Sequence, residues 1–391
     1  MNSRGFTLIE LLVGGTIGVM AIAMVLGVFI SQTASFQSLD LVRQMNANGR
    51  DASLEIGNSL KRAGYGIDPG VAFDFSCVGQ PPGTKCHDSY NGTDDLRFYA
   101  RNPNYVYTPQ NAALGCATAG GCLGGGTMYS IVGVPTSTAI VATLGSLDVI
   151  QKGRTVLALC SDSTTPHPVF ATVQGRIAGP GNIGMTIVIN SSTASTSLVA
   201  DLAFSSCHSG TNVPPGFLLL VDQYHYYVTT LNNEPWLVLD TGIDFNNNGT
   251  LPPADTADLI PVARGVEDMQ VAYQLGPTTG TAPDSNQDWV VGNNQTVLAA
   301  EEPDPTQAKP LNGTLNGTMH PANIRGVRVT FVVRSPIPDR SLGSGFLGDP
   351  AVKFENRSDV TAITLGQFRR MPITLSAATR NMNSSNPWLL Y

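Results

Sequence analysis

The chain has 391 residues, 42% of them hydrophobic and only 13% charged, with a formal net charge of −7. That length can bury a large core in one domain or two lobes. The sparse, net-acidic charge excludes a nucleic-acid binder that relies on a basic face. Most of the 41 glycines and all 26 prolines follow the first sixty residues, a composition suited to many short strands and turns. The expected fold class is therefore α+β: a long N-terminal helix followed by a β-rich globular domain of antiparallel sheets.

In chain order, residues 1–5 form a short polar leader ahead of Phe6-Thr7-Leu8-Ile9-Glu10-Leu11-Leu12-Val13. The chain stays apolar to Ile30, and Glu10 is the sole ionisable group in that run. About 25 apolar residues suffice for a helix to cross a bilayer. A carboxylate inside such a run costs several kcal/mol and calls for a partner. The run begins directly behind the leader and is too long for the core of an ordinary signal peptide.

From residue 31 to 64 the pattern changes to an amphipathic helix. Val42, Met45, Gly49, Ala52, Ile56 and Leu60 recur at three- and four-residue steps, with Arg43, Arg50, Asp51 and Asn58 off that stripe. Lys61-Arg62 suit the negative end of a helix and Gly64 can terminate it. The expectation is one continuous helix over residues 6–63.

Beyond Gly64, strands are expected at 96–99, 128–134, 139–149, 155–159, 169–173, 186–189, 217–221, 224–229, 236–239, 269–273 and 327–333. Residues 65–391 then form an extracytoplasmic β-rich domain, with a loop-rich insertion near 276–317. Six cysteines in an exported domain read as disulfides, with nearest-neighbour pairing Cys77–Cys86, Cys116–Cys122 and Cys160–Cys207. Other connectivities stay open. Zinc is the competing reading, because His87 and His208 each follow a cysteine, although no C-x-x-C occurs.

Asp244-Phe245-Asn246-Asn247-Asn248-Gly249-Thr250, closed by Asp255, matches the calcium-loop pattern D-x-[DN]-x-[DN]-G. Asp244, Asn246, Asn248 and Asp255 are the candidate Ca²⁺ ligands. Only two are carboxylates and Pro252-Pro253 interrupts the loop, so an Asn/Gly-rich turn stands beside the metal reading. Asp284–Asp288 has the same alternation with Trp289 in place of glycine. Gly343-Ser344-Gly345-Phe346-Leu347-Gly348 is formally a G-x-G-x-x-G, but prolines on both sides deny it the strand and helix a phosphate site needs. No G-x-S-x-G, H-E-x-x-H or P-loop occurs and the five histidines are dispersed, so no enzyme is expected.

Gly5-Phe6-Thr7-Leu8-Ile9-Glu10-Leu11-Leu12 resembles the class III signal motif of type IV pilins and the related type II secretion pseudopilins. The resemblance implies cleavage between Gly5 and Phe6 by a prepilin peptidase, N-methylation of Phe6, and an assembly role for Glu10. Further segments resemble the PilW-like minor pilins. They are Leu60-Lys61-Arg62-Ala63-Gly64-Tyr65, Gly265-Val266-Glu267-Asp268-Met269-Gln270-Val271-Ala272-Tyr273, Ile324–Val329 with Phe331–Ser335, and Phe368-Arg369-Arg370 with Thr379-Arg380-Asn381. The middle of the chain, about residues 70–215, matches poorly. The resemblance implies partners among the other minor pilins, the major pilin, the inner-membrane assembly platform and a large tip adhesin. It places the protein in a bacterial inner membrane before assembly and near the pilus tip after it, with twitching motility, cell adhesion and DNA uptake all open as the role of the pilus. A minor type II secretion pseudopilin and a calcium-dependent tip adhesin are the alternatives.

Overall fold

The computed structural model describes residues 7–67, 69–75, 93–106, 108–110, 122–124, 129–130, 139–142, 151–160, 167–178, 185–190, 217–275, 289–290, 320–339 and 368–383. Its first element is α1 (Leu8–Leu60), 53 residues long. Thr7 caps it: the hydroxyl accepts from the Glu10 amide while the Glu10 carboxylate accepts from the Thr7 amide, a reciprocal capping box. At the far end the amides of Arg62 and Ala63 bond three residues back, to Ser59 and Leu60. That tightening ends the α-helix at Leu60, so Lys61 and Arg62 lie beyond the last turn and do not complement its dipole. Arg62 reaches instead to the Tyr224 hydroxyl, 3.3 Å away.

The helix has two dissimilar halves. In the second half Leu41, Met45, Gly49, Ala52, Ile56, Gly57, Ser59 and Leu60 are buried, and Arg43, Arg50, Asp51 and Asn58 are exposed. This is the stripe that the spacing predicts, with Val42 at its half-buried margin. The first half buries nothing.

Among the described residues the strands are β1 (Leu96–Val106), β2 (Thr108–Gln110), β3 (Cys122–Gly124), β4 (Tyr129–Ser130), β5 (Ala139–Ala142), β6 (Thr155–Cys160), β7 (His167–Ala178), β8 (Met185–Asn190), β9 (Phe217–Leu231), β10 (Glu234–Asp240), β11 (Ile260–Arg264), β12 (Val266–Leu275), β13 (Trp289–Val290), β14 (Ile324–Arg334) and β15 (Arg370–Ala378). They form an eight-stranded sheet, order β11-β10-β9-β6-β7-β8-β5 with β1 also on β9, a four-stranded sheet β13-β12-β14-β15, and a small β2-β3-β4 sheet. The pairings are antiparallel. Where two strands are expected, at 217–221 and 224–229, β9 runs unbroken. Asp222 breaks the apolar pattern but not the backbone, because it is paired with Arg154 at 2.6 Å and bonded by Asn102. Of the expected strands 128–134 and 139–149, β4 and β5 are the described parts. β11 and β15 carry no strand expectation from periodicity.

One hydrophobic cluster joins α1 to both larger sheets. Phe98 on β1 stacks on Tyr224 with centroids 5.0 Å apart, and Phe73 and Phe75 pack edge-on against Tyr273. Met371, Ile373, Leu375 and Ala377 of β15 pack against the cluster from the edge of the four-stranded sheet. A Cβ on Gly49 would stand 1.9 Å from the Ile373 Cδ1, so the bare backbone there lets α1 lie close on β15.

A polar tie reinforces this seat. The Tyr226 hydroxyl, fully buried on β9, donates to Ser59 Oγ at 2.9 Å. Burial raises its pKa far above the ordinary phenol value, so it stays a donor. Tyr226→Phe is expected to lower unfolding stability by about 1 kcal/mol. The urea midpoint of the detergent-solubilised chain checks this, and an unchanged midpoint would remove the tie from the account.

Candidate functional site

The first candidate is the start of α1. The Glu10 carboxylate accepts from the Thr7 amide at 2.9 Å and the Thr7 hydroxyl at 2.8 Å, both on Oε2. Around it Leu8, Ile9, Leu11 and Leu12 are exposed, and so are the apolar side chains onward to Ile30 and Phe36. A continuous apolar surface of this size has to be covered by lipid or by other apolar surfaces. α1 is long and apolar enough to cross a membrane. Glu10 is thus an accessible acid on an apolar rod. Gly5 and Phe6 lie outside the described residues.

The second feature is where the helix meets the four-stranded sheet. Segments far apart in the chain converge here. Glu267 on β12 accepts from Arg370 at 2.6 Å and from Arg334 at 3.1 Å. Arg334 and Arg370 stand directly opposite each other on β14 and β15, a like-charge pairing that would otherwise be unfavourable, and Glu267 offsets it. Arg334 also lies over the Phe368 ring, 4.4 Å from its centroid. Next to them, Ser335 and Arg369 exchange two hydrogen bonds. At the opposite end of the sheet, Asn381 donates to the Lys61 carbonyl at 2.8 Å, and the Thr379 hydroxyl donates to the Ile324 carbonyl. Gly265, at φ +79, sits between β11 and β12, where a Cβ would meet the Arg334 carbonyl oxygen at 2.8 Å. Glycine is the residue this crossing admits. The contacts around Glu267 tie β12, β14 and β15 together, and the Asn381–Lys61 bond ties the segment after β15 to the end of the helix.

The third feature is the loop from β10 to β11. The Asp244 carboxylate, buried, accepts from the amides of Asn248 at 3.1 Å and Gly249 at 2.8 Å. Asn246 Oδ1 accepts from the Asn248 amide and Asn248 Oδ1 from the Thr250 amide. The side-chain nitrogens of Asn246 and Asn248 both donate to Asp255 Oδ2, while Asp255 Oδ1 caps the short turn Thr256–Asp258. Hydrogen bonds from the Asn246 side chain and the Ala257 amide hold Asp255 below the usual carboxylate range, so it is ionised at neutral pH. The four candidate ligands therefore lie on one closed loop. Asp258, which the sequence pattern does not count, sits in the same loop: its Oδ1 accepts from the amides of Phe245 and Asn246. Among the described residues no three His, Cys, Asp or Glu side chains converge to hold a metal by themselves.

On the face of β1, β9 and β10 that carries Arg97, His225 and Asp240, a buried polar network runs Asp74–Arg97–His225, with His225 Nε2 2.6 Å from Asp95 and Nδ1 3.4 Å from Asp240. The Tyr99 hydroxyl donates to Asp74, and its pKa is pushed well above the phenol range by burial and by the Asp74 charge. Each charge is answered by another charge or a donor, which is a structural use of ionisable groups. The alternating strand pattern around Tyr224-His225-Tyr226-Tyr227 gave no sign of it.

Cys77, Cys86, Cys116, Cys207, His87 and His208 lie outside the described residues, and with them the three disulfide pairings and the zinc alternative. So do Asp284–Asp288, Gly343–Gly348 and, apart from β13, the insertion 276–317. No protein-family model matches the chain, and neither does any curated protein or solved structure.

Proposed function

We propose that the chain is a non-enzymatic assembly subunit, a PilW-like minor pilin that helps prime a type IV pilus and ends at or near its tip. The observation that carries this reading is the unburied apolar half of α1 with Glu10 as its single charge. Hydrolysis between Gly5 and Phe6 frees an α-amino group that is protonated at neutral pH. Glu10 of one subunit offsets that amine on a neighbour, so two charges that are each costly in an apolar bundle become tolerable together.

Lipid covers the helix before assembly, and the helices of other minor pilins and the major pilin cover it afterwards. The packing of α1 on β15, β11 and β14, with Asn381 bonded to the Lys61 carbonyl just past the helix end, gives the head a fixed seat on the rod, so that packing the helices also positions the heads. A head of more than 300 residues crowds a repetitive filament, which favours a low-copy place at the tip, beside a large adhesin. A minor type II secretion pseudopilin would use the same helix; co-purification with pilus or with secretion-channel components separates the two.

The test is processing. Gly5→Glu is expected to leave the precursor uncleaved, seen as an unshifted band and an unmethylated Phe6. Normal cleavage of that variant would overturn the assignment.

A further inference from the structure

β15 is the last strand of the four-stranded sheet, and two terminal bonds fix which of its groups face inward. The Ser335 amide donates to the Arg369 carbonyl and the Thr379 amide to the Arg325 carbonyl, at the two ends of a continuous β14–β15 register. In an antiparallel pair such bonded positions recur at every second residue. Met371, Ile373, Leu375 and Ala377 therefore bond β14, while Thr374, Ser376 and Ala378 turn their amides and carbonyls away from it. These last three residues are exposed, and among the described residues β15 pairs with β14 alone. Pro372 has the same outward phase, so the amide it lacks is one that β14 does not use. From Met371 to Thr379 no side chain is charged, although sheet edges are commonly guarded by charge. The other side of the sheet is treated differently. On β12 the Met269 amide donates to the Thr93 hydroxyl, the Met269 carbonyl accepts from the Asp94 amide, and the Val271 amide donates to the Asp94 carboxylate. Further along, β13 pairs with Tyr273 and Gln274. One edge is closed by the chain itself, and the other stands open among the described residues.

We propose that the open edge of β15 receives a strand from a different subunit of the same assembly, along Thr374, Ser376 and Ala378. Main-chain bonds to those residues supply the affinity of such an added strand, and its alternating side chains decide whether it fits. The strand this edge takes is uncharged. Its apolar face continues the row Ile373, Leu375 and Ala377, which packs on the core, and its opposite face continues the small, exposed Thr374 and Ser376. Because β15 is a strand on which α1 is seated, a head paired here stands beside the rod that its own helix packs against. A second copy does not meet these terms. α1 and β15 run the same way, from Gly49 beside Ile373, through Gly57 beside Leu375, to Lys61 bonded by Asn381. Antiparallel pairing of two copies through this edge puts a two-fold axis across the strands and reverses one rod against the other, whereas both rods enter the bilayer from one side. The identity of the occupant rests on the assembly reading; the open edge does not.

The experiment has two arms, both on the full chain. In the first, the chain in detergent micelles is titrated with a labelled synthetic peptide of alternating valine and threonine, lysine-tipped for solubility, and amide hydrogen exchange is read residue by residue. Saturable binding is expected, with the Thr374, Ser376 and Ala378 amides slowed roughly tenfold or more. The Ile373 and Leu375 amides, already bonded to β14, should change little. Methylating alternate amides of the peptide removes its donors to the edge and should weaken binding roughly tenfold or more. Ser376→Pro repeats the outward proline of position 372 and should weaken binding several-fold while the Tm holds. No binding at millimolar peptide, or protection that spares those three amides, would overturn the open edge. In the second arm, exchange of the same amides is compared between micelles and filaments sheared from the native host. Slowing in the filaments is expected; equal exchange would overturn the strand from a different subunit. So would a dimer in micelles that Ser376→Pro abolishes, since it gives the edge to a second copy. Absence of the chain from the filaments would overturn the assembly reading and the occupant together, and the first arm would still decide the edge.

Discussion

Replacing Glu10 by valine is expected to leave membrane insertion intact while cutting incorporation into filaments roughly tenfold or more, because an unanswered amine then remains among apolar helices. Insertion should not suffer, since the substitution removes the single charge from the run. Valine also deletes the capping box at Thr7, so a second variant separates the two roles. Glutamine preserves the cap, accepting from the Thr7 amide as glutamate does, but carries no charge. Glu10→Gln should therefore assemble as poorly as Glu10→Val, while Glu10→Asp recovers part of the loss. The ratio of sheared-filament to membrane-bound protein, read by immunoblot, measures each. Normal incorporation of the glutamine variant would reduce Glu10 to a helix cap.

The second large effect is expected at the seat of the helix on the sheets. Ile56 is fully buried in the cluster that joins α1 to the sheets, whereas Leu54, on the same helix, is half exposed. Ile56→Ala is expected to cost about 2–5 kcal/mol, through lost burial and the cavity left behind. Leu54→Ala should stay within about 0.5 kcal/mol. Chemical unfolding of both variants in one detergent makes the comparison. If Leu54→Ala proves the more damaging, the helix is seated on a different face.

The distinction between these two positions was legible from spacing alone. Met45, Gly49, Ala52, Ile56 and Leu60 fall on the buried stripe because three- and four-residue steps return to one side of a helix. The helix end was partly legible: Gly64 does turn the chain away, at φ +74 with its amide on the Tyr99 carbonyl, but the tightening that ends the α-helix at Leu60 falls on Lys61-Arg62-Ala63, which are good helix formers. β15 was signalled by the resemblance at its two flanks, Phe368–Arg370 and Thr379–Asn381, and not by periodicity, because Pro372 stands at an outward position and the inward series ends in the small Ala377. The helix covering that strand supplies what local propensity lacks.

The candidate sites divide in the same way. Glu10 stands out in the sequence because every neighbour is apolar. Asp244, Asn246, Asn248 and Asp255 are legible because their spacing repeats. The place of Asp258 in the same loop is not, since only the fold brings the Phe245 and Asn246 amides to its carboxylate. The joint of Glu267 with Arg334 and Arg370 likewise depends on strand register, which brings together side chains 67 and 103 positions apart. Residue types alone give no reason to pair them.

The most direct measurement is the N-terminus of the mature protein, recovered from sheared filaments of its native host and read by mass spectrometry. The account predicts a chain that begins at Phe6 and carries a single methyl group on that nitrogen. A chain that begins at Met1 or at any residue other than Phe6 would leave Glu10 without its proposed partner and contradict the account.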